Sequence, residues 1–254
     1  MKPFSYYAII DACAQPGCPV CRVLQVETDR FLYALLFEFV TEPEAHHTIR
    51  ASRGLCRVHS WQLRRQRMSS VSIAVLYEAV IDEALNIIGS SDQPATRPAT
   101  RSRMQRLLGG SPTGSALADQ LQPQTGCMCC EAMATSEDGY LRTLAESVTE
   151  PRVLEPYRDS DGLCLPHLRQ TLAVTRDDQA LHTILSTQRA IWSRLKEELA
   201  LFRARVDAEG GHGQMGAEGS SWLRAVEAVA GGDIVGGPPT KSSYEHANDD
   251  QTPE

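Results

Sequence analysis

Gly17-Cys18-Pro19-Val20-Cys21 and Gly54-Leu55-Cys56-Arg57-Val58-His59 return later in the chain as Gly126-Cys127-Met128-Cys129-Cys130 and Gly162-Leu163-Cys164-Leu165-Pro166-His167. The first pair of blocks reads C-x2-C-x34-C-x2-H and the second C-x2-C-x33-C-x2-H. Between them Val40-Thr41-Glu42-Pro43 recurs as Val148-Thr149-Glu150-Pro151, and Arg50 and Ser52 recur as Arg158 and Ser160. The offset is 109 residues at the first cysteine pair and 108 from the Val40-Thr41-Glu42-Pro43 segment onward, a single change of length. Three matching blocks in one order identify a duplicated unit, the first thing to establish in a chain of this kind.

Around these blocks the apolar residues keep helical spacing. Over 23–40, Val23, Leu24, Val26, Phe31, Leu32, Leu35, Leu36 and Phe39 fall mostly three or four apart. Thr41-Glu42-Pro43 then reads as a stop and restart, with Thr41 the expected cap and Pro43 in the first turn of a short helix over 44–52. Residues 60–88 are rich in helix formers. The second unit follows with helices over 131–148 and 152–159, another through Leu168, and an amphipathic helix over 177–206. No stretch alternates with period two. The expected fold class is all-α, a duplicated helical unit forming a pseudo-twofold bundle.

The organisation read from this pattern is a first CxxC/CxxH unit over 1–88, a flexible linker over 89–125 and a second unit over 126–206. A Gly-rich segment with a short Trp222 helix follows over 207–231, then an acidic tail over 232–254. The linker carries the PATRPATR tandem and room for a short helix at 104–108. Formal charge is −7, and all of it arises after Val206: 207–254 holds nine acids and two bases. With 42% apolar and 22% charged residues in 254, the chain can bury a core, and its acidity argues against general nucleic-acid binding. No run of 18 apolar residues suggests a membrane span, and the amino terminus lacks a secretory signal. A cytoplasmic location is expected. Eight cysteines in that setting point to metal or redox chemistry and not to a disulfide framework.

A C-x2-C or C-x2-H pair spans about one helical turn and presents two donors to one ion. Two pairs make a Cys3His shell. The expected metal ligands are Cys18, Cys21, Cys56 and His59 in one site and Cys127, Cys130, Cys164 and His167 in the other, each unit closing its own. The mixed sulfur–nitrogen set favours Zn2+ over an iron–sulfur cluster. Helix starts would favour thiolate, the glycine before each motif would allow a bend, and Arg22, Arg57 or Arg169 could offset the residual charge. One difficulty stands. A helix over 22–40 runs about 28 Å from the first cysteine pair, and the short return helix covers about half of that. A bent helix, cysteines in a loop beside it, a partly extended return segment, or the joining of Cys18 and Cys21 to Cys164 and His167 would each remove the difficulty; pairing within a unit is favoured because duplication suggests self-sufficient halves.

Cys13 and Cys129 are left over, the second lying between two ligands of its motif. His46-His47 reads as a solvated face, since adjacent helical residues point apart. Trp61 and Trp192 read as packing residues, and Trp222 as the anchor of the short C-terminal helix. No catalytic motif is present, and four protein ligands per site leave no open position; an enzyme is the less favoured reading.

The blocks CPVCR (18–22), ASRGLCRVHSW (51–61), VLYEAVI (75–81), GLCLPHLRQTL (162–172) and EGSSWLRAVEAVAG (218–231) resemble an uncharacterised bacterial family, the domain-of-unknown-function family 6062. The resemblance covers about 5–88 and 124–231. It implies an α-helical metalloprotein and supplies no activity. The long 89–125 segment, GCMCC without a proline, and the acidic tail depart from its pattern.

The expected function is a cytosolic scaffold with two structural zinc sites that serves interaction with an unknown protein partner. The alternatives are an iron–sulfur or thiol redox sensor, motivated by the spare cysteines, and a nucleic-acid-binding zinc module, motivated by Arg53, Arg57, Arg64, Arg65 and Arg67 around the first C-x2-H helix.

Overall fold

The computed structural model describes residues 2–66, 69–92, 114–209 and 216–232. The described residues form helices and no strand. In chain order these are α1 (Phe4–Cys13), α2 (Pro19–Phe37), α3 (Pro43–Ala51), α4 (Arg57–Arg64), α5 (Ser70–Asp92), α6 (Gly114–Leu121), α7 (Met128–Ser147), α8 (Pro151–Asp159), α9 (Leu165–Val174), α10 (Asp178–Glu209) and α11 (Ser221–Ala230). A 3-10 turn at Ala217–Ser220 precedes α11.

The two halves repeat one series: a long helix, a nine-residue helix opening on proline, a short helix and a long one. The proline helices α3 and α8 are capped at Glu42 and Glu150, one residue beyond the expected Thr41, with Pro43 and Pro151 in the first turn. There a missing N–H costs nothing and the fixed φ suits the helix. The stretch 60–88 is two helices, not one. The chain breaks after α4, and Ser69 binds the Gln66 carbonyl through its hydroxyl at 2.7 Å before α5 begins. Helix α1 was not expected. Within the segment read as a flexible linker, α5 continues to Asp92 and α6 occupies Gly114–Leu121. The expected helix at 104–108, Arg67, His212, His246 and the acidic tail from 233 lie outside the described residues.

Packing divides the chain differently from the sequential halves read from the repeat. One compact unit is 1–28 with 133–254, the other 29–132. The division falls inside α2 and inside α7. The first unit buries Tyr6, Ile9, Val20, Val23, Leu144, Val148, Tyr157, Leu163 and Ile184 around Cys18 and Cys164. Here α1 and α10 pack on α8, and α11 lies on α9 and α10. The second unit buries Leu32, Leu35, Leu36, Ile49, Leu63 and Leu76, with α3, α4 and α6 packed on α5. Each fully buried aliphatic side chain contributes about 1.5–3 kcal/mol.

Polar contacts fix the loops that precede the short helices. In the first unit Gln188 of α10 is 2% exposed. Its Oε1 accepts from Tyr157 Oη at 2.7 Å and Leu163 N at 2.9 Å, and its Nε2 donates to the Leu163 carbonyl at 3.1 Å. The recurring serines do the same locally: Ser52 donates to the Gly54 carbonyl at 2.9 Å, and Ser160 accepts from Gly162 N at 3.0 Å. Gly54 and Gly162 sit at φ 94° and 74°, where a side chain would be strained.

Gln188→Leu keeps the volume and strips three buried groups of their partner, each worth about 1–3 kcal/mol when left unsatisfied. The expected loss is about 3–5 kcal/mol, read as a lowered urea midpoint at unchanged slope; a loss below about 1 kcal/mol contradicts this role.

Candidate metal centres

Four loops present four donor pairs in one way. Cys56 and Cys164 are the N-cap residues of α4 and α9, and Cys18 and Cys127 immediately precede α2 and α7. The second donor follows three positions on, as Cys21, His59, Cys130 or His167. Each first cysteine closes the opening turn through its carbonyl, which accepts from Arg22, Ser60, Glu131 or Leu168 N at 3.1, 2.9, 3.1 and 2.8 Å. Each first cysteine thus sits at a helix start, where free N–H groups favour thiolate; backbone N–H groups stabilise the Cys127 and Cys164 thiolates. Gly17, like Gly54 and Gly162, takes the left-handed bend; Gly126 does not.

The structure brings all eight expected ligands into two groups, but not as the repeat suggested. Cys18 and Cys21 join Cys164 and His167, and Cys56 and His59 join Cys127 and Cys130; in each group the donor atoms lie within 4.8 Å of one another. Pairing within a repeat is therefore corrected to pairing across repeats. Helix lengths agree with this: the nineteen residues of α2 run about 28 Å and the nine of α3 about 13 Å, so the short helix by itself does not bring the chain back to the first cysteine pair. We refer to the first group as centre A, in the first compact unit, and to the second as centre B, in the second.

The imidazole Nδ1 faces the sulfurs in both. In centre A, His167 Nδ1 lies 3.4, 3.3 and 3.2 Å from Cys18, Cys21 and Cys164 Sγ, and Cys21 and Cys164 Sγ are 3.8 Å apart. In centre B, His59 Nδ1 lies 3.3, 3.6 and 3.4 Å from Cys56, Cys127 and Cys130 Sγ, with 3.6 Å between Cys130 and Cys56. Bonds of about 2.3 Å to sulfur and 2.0–2.1 Å to nitrogen at tetrahedral angles put sulfurs about 3.8 Å apart and sulfur and nitrogen about 3.6 Å apart. The donors fit one small tetrahedral ion.

Electrostatics agrees. Burial pushes the Cys18 thiol well up, reinforced by Cys164 and Cys21, whereas hydrogen bonds from Cys18 and Cys21 bring Cys164 down to about 3. In centre B, burial, Cys56 and Cys127 raise Cys130 to about 12; Cys127 is raised by burial, but bonds from His59 and backbone N–H groups outweigh this and hold it at about 6. Three sulfurs so close cannot all carry charge unaided, and a divalent cation relieves that conflict.

Sequence reading missed the residues that support centre A. His167 Nε2 lies 3.0 Å from Glu137 Oε1 of α7, an outer carboxylate that orients a ligating imidazole. The N–H of Gly232, just past α11, donates to Cys21 Sγ at 3.3 Å. Gly17 N donates to Asp161 Oδ2 at 2.7 Å, tying the loop of one pair to the loop of the other. Around centre B, Ser60 donates to the Leu55 carbonyl at 3.0 Å and meets Tyr77 Oη at 2.9 Å, and Gln124 N donates to the Ala51 carbonyl at 2.8 Å. Glu137, Gly232, Tyr77 and Gln124 carry no local mark, because each reaches the donor loops from a distant part of the chain.

Among the other residues singled out in the sequence, Arg22 is buried, its Nε donating to the Pro16 carbonyl and its Nη2 3.8 Å from Glu227, so Glu227 shares its charge. Arg57 and Arg169 are exposed. Cys13 and Cys129 are buried thiols outside both groups, and none of the eight cysteines forms a disulfide. His46 bonds to the Val40 carbonyl at 2.7 Å and His47 is exposed. Trp192 is partly buried against the core. Trp61 is exposed under the Arg64 guanidinium at 5.2 Å, not packed. Of the arginines around α4, Arg53 pairs with Glu83 at 3.5 Å and binds the Gln120 carbonyl at 2.9 Å. Arg57, Arg64 and Arg65 are exposed. No helix among the described residues is long and apolar enough to cross a membrane.

Double substitution reads the pairing directly. Cys18→Ser with Cys164→Ser is expected to remove one bound ion per chain, and Cys18→Ser with Cys56→Ser to remove two. Pairing within repeats gives the reverse counts in elemental analysis of the purified protein.

No curated protein and no solved structure matches the chain. One family model does, over residues 7–234, and its description is a family of unknown function, DUF6062. That match runs from within α1 to beyond α11 and includes all eight candidate ligands of both centres: the chain belongs to this family.

Proposed function

We propose that this protein is a structural two-zinc scaffold of the cytoplasm that serves protein–protein interaction. The observation that carries the reading is the pair of four-donor shells, each filled by three sulfurs and one imidazole from the chain itself. Four protein donors leave no position for a reacting water, the pattern of structural and not catalytic zinc. Zn2+ suits a mixed sulfur–nitrogen tetrahedron of this size. An iron–sulfur cluster divides its protein ligands over two or more irons, whereas a separation of at most 4.8 Å among all four donors supports a single ion.

Exposed apolar stripes in each unit support the interaction reading. Trp222, Val226 and Val229 recur at four- and three-residue spacing on α11 and are 48%, 60% and 64% exposed. Ile81, Leu85 and Ile88 form a like stripe on α5. Exposed apolar surface of this kind is what association covers.

Zinc binding of this type is folding energy, about 10–16 kcal/mol per site in small zinc modules at neutral pH. Freshly purified protein is expected to be colourless with two zinc ions per chain. A strong chelator is expected to lower the thermal midpoint and the far-UV helical signal together. Lowering the pH acts in the same direction, because protons compete for thiolate and imidazole. An unchanged midpoint after complete metal removal overturns the structural role, and a brown, iron-containing protein overturns zinc.

A further inference from the structure

The two centres share a donor set and differ in their surroundings. In centre A, Cys18, Cys164 and His167 are buried. Backbone also covers the sulfurs. A Cβ on Gly231 would stand 3.7 Å from Cys21 Sγ and 3.8 Å from Cys164 Sγ, at a φ of 93° that favours glycine. Gly232 N–H points at Cys21 Sγ, and a thiolate that accepts such a bond is less nucleophilic. Contacts of α11 hold this cover down: Arg224 pairs with Glu198 and lies 3.8 Å from Asp161, and Glu227 faces Arg22.

Centre B lacks these protections. Only His59 is buried; Cys56 and Cys127 are half-buried, and Cys130, the counterpart of Cys21, is exposed. Among the described residues nothing donates to Cys130 Sγ from a covering segment, and no carboxylate meets His59 Nε2. The sequence explains the second difference. Positions in α2 equivalent to Glu137 are Thr28 and Asp29. The Thr28 hydroxyl goes to the Leu24 carbonyl at 2.8 Å, and the Asp29 carboxylate accepts from Gln66 Nε2 at 3.3 Å.

We propose that centre B is an exchangeable, electrophile-reactive thiolate centre, with Cys130 the sulfur that reacts first, while centre A is the permanent one. The inference rests on the two-zinc reading and adds a modification site to it. The ligand class is the small soft carbon electrophile, such as an enone or a maleimide. The Cys130 sulfur lone pair attacks the electrophilic carbon and a C–S bond forms. The carbon–carbon π bond breaks as the C–S bond forms, its electron pair passes to the conjugated carbonyl as an enolate, and the α-carbon then takes a proton from water, which leaves as hydroxide. Cys130 is then a neutral thioether, and two thiolates with one imidazole remain to hold the ion. Among the described residues such outer groups are found at centre A and not at centre B; groups of this kind are worth about 10–100-fold in affinity.

The test begins with a metal count on the full chain, then adds N-ethylmaleimide with a chromogenic zinc chelator and maps adducts by peptide mass spectrometry. The expected result is two ions at the start, released in two phases about 10-fold or more apart, with the first adduct on Cys130. Cys130→Ser is expected to start with one ion and to show only the slow phase. Glu137→Gln, which leaves all eight ligands in place, is expected to speed the slow phase and leave the fast one unchanged. Two ions released together, or a first adduct on Cys21, overturn the proposal while leaving the two-zinc reading intact; a metal-free protein overturns both.

Discussion

Four soft donors within 4.8 Å of one another are the constraint on which the rest of this structure depends. Three thiol sulfurs and an imidazole crowd together only if backbone segments from distant parts of the chain hold them there. The protein meets this with one repeated device, a loop that delivers its first donor just ahead of a helix and its second one turn later. Helix starts contribute N–H groups that favour thiolate, and the helix that follows each loop, long in α2 and α7 and short in α4 and α9, fixes the direction of its pair. The Asp161 and Gln188 contacts in one unit and the Ser60, Tyr77 and Gln124 contacts in the other keep the loops from relaxing apart.

Much of this was legible in the sequence because it is local. Cysteine spacing specifies donor pairs one turn apart, proline placement specifies the starts of α3 and α8, and apolar periodicity specifies the long helices. Which pairs meet is not local. It depends on how far a rigid helix carries the chain, and there the repeat misled: similarity between halves says that they share a pattern, not that each closes on itself. The mismatch in length between α2 and α3 held the correct answer and was outweighed by the argument from duplication.

Other features were illegible for a related reason. Nothing near Glu137 marks it as a partner of His167, and Gly231 and Gly232 read as the end of a helix until Cys21 is seen beneath them. Helix α1 has too few periodic residues to stand out, although Tyr6, Ile9 and Ala12 are buried in its unit. Helix α6 lies in a stretch whose composition resembles a linker. The difference between the two centres follows from these non-local additions: the donors repeat, whereas the groups around them do not.

The crossing of ligands has a consequence for biosynthesis. The ribosome completes Cys18, Cys21, Cys56 and His59 long before Cys127 emerges, so the nascent chain carries a full but wrong set of four donors. Local contacts form faster than distant ones, and a metal ion meeting that half-made chain could trap it. Helix α2 separates the two pairs in the chain and, once wound, carries it about 28 Å from the first of them. Such stiffness works against early closure and in favour of the partners synthesised much later in the chain.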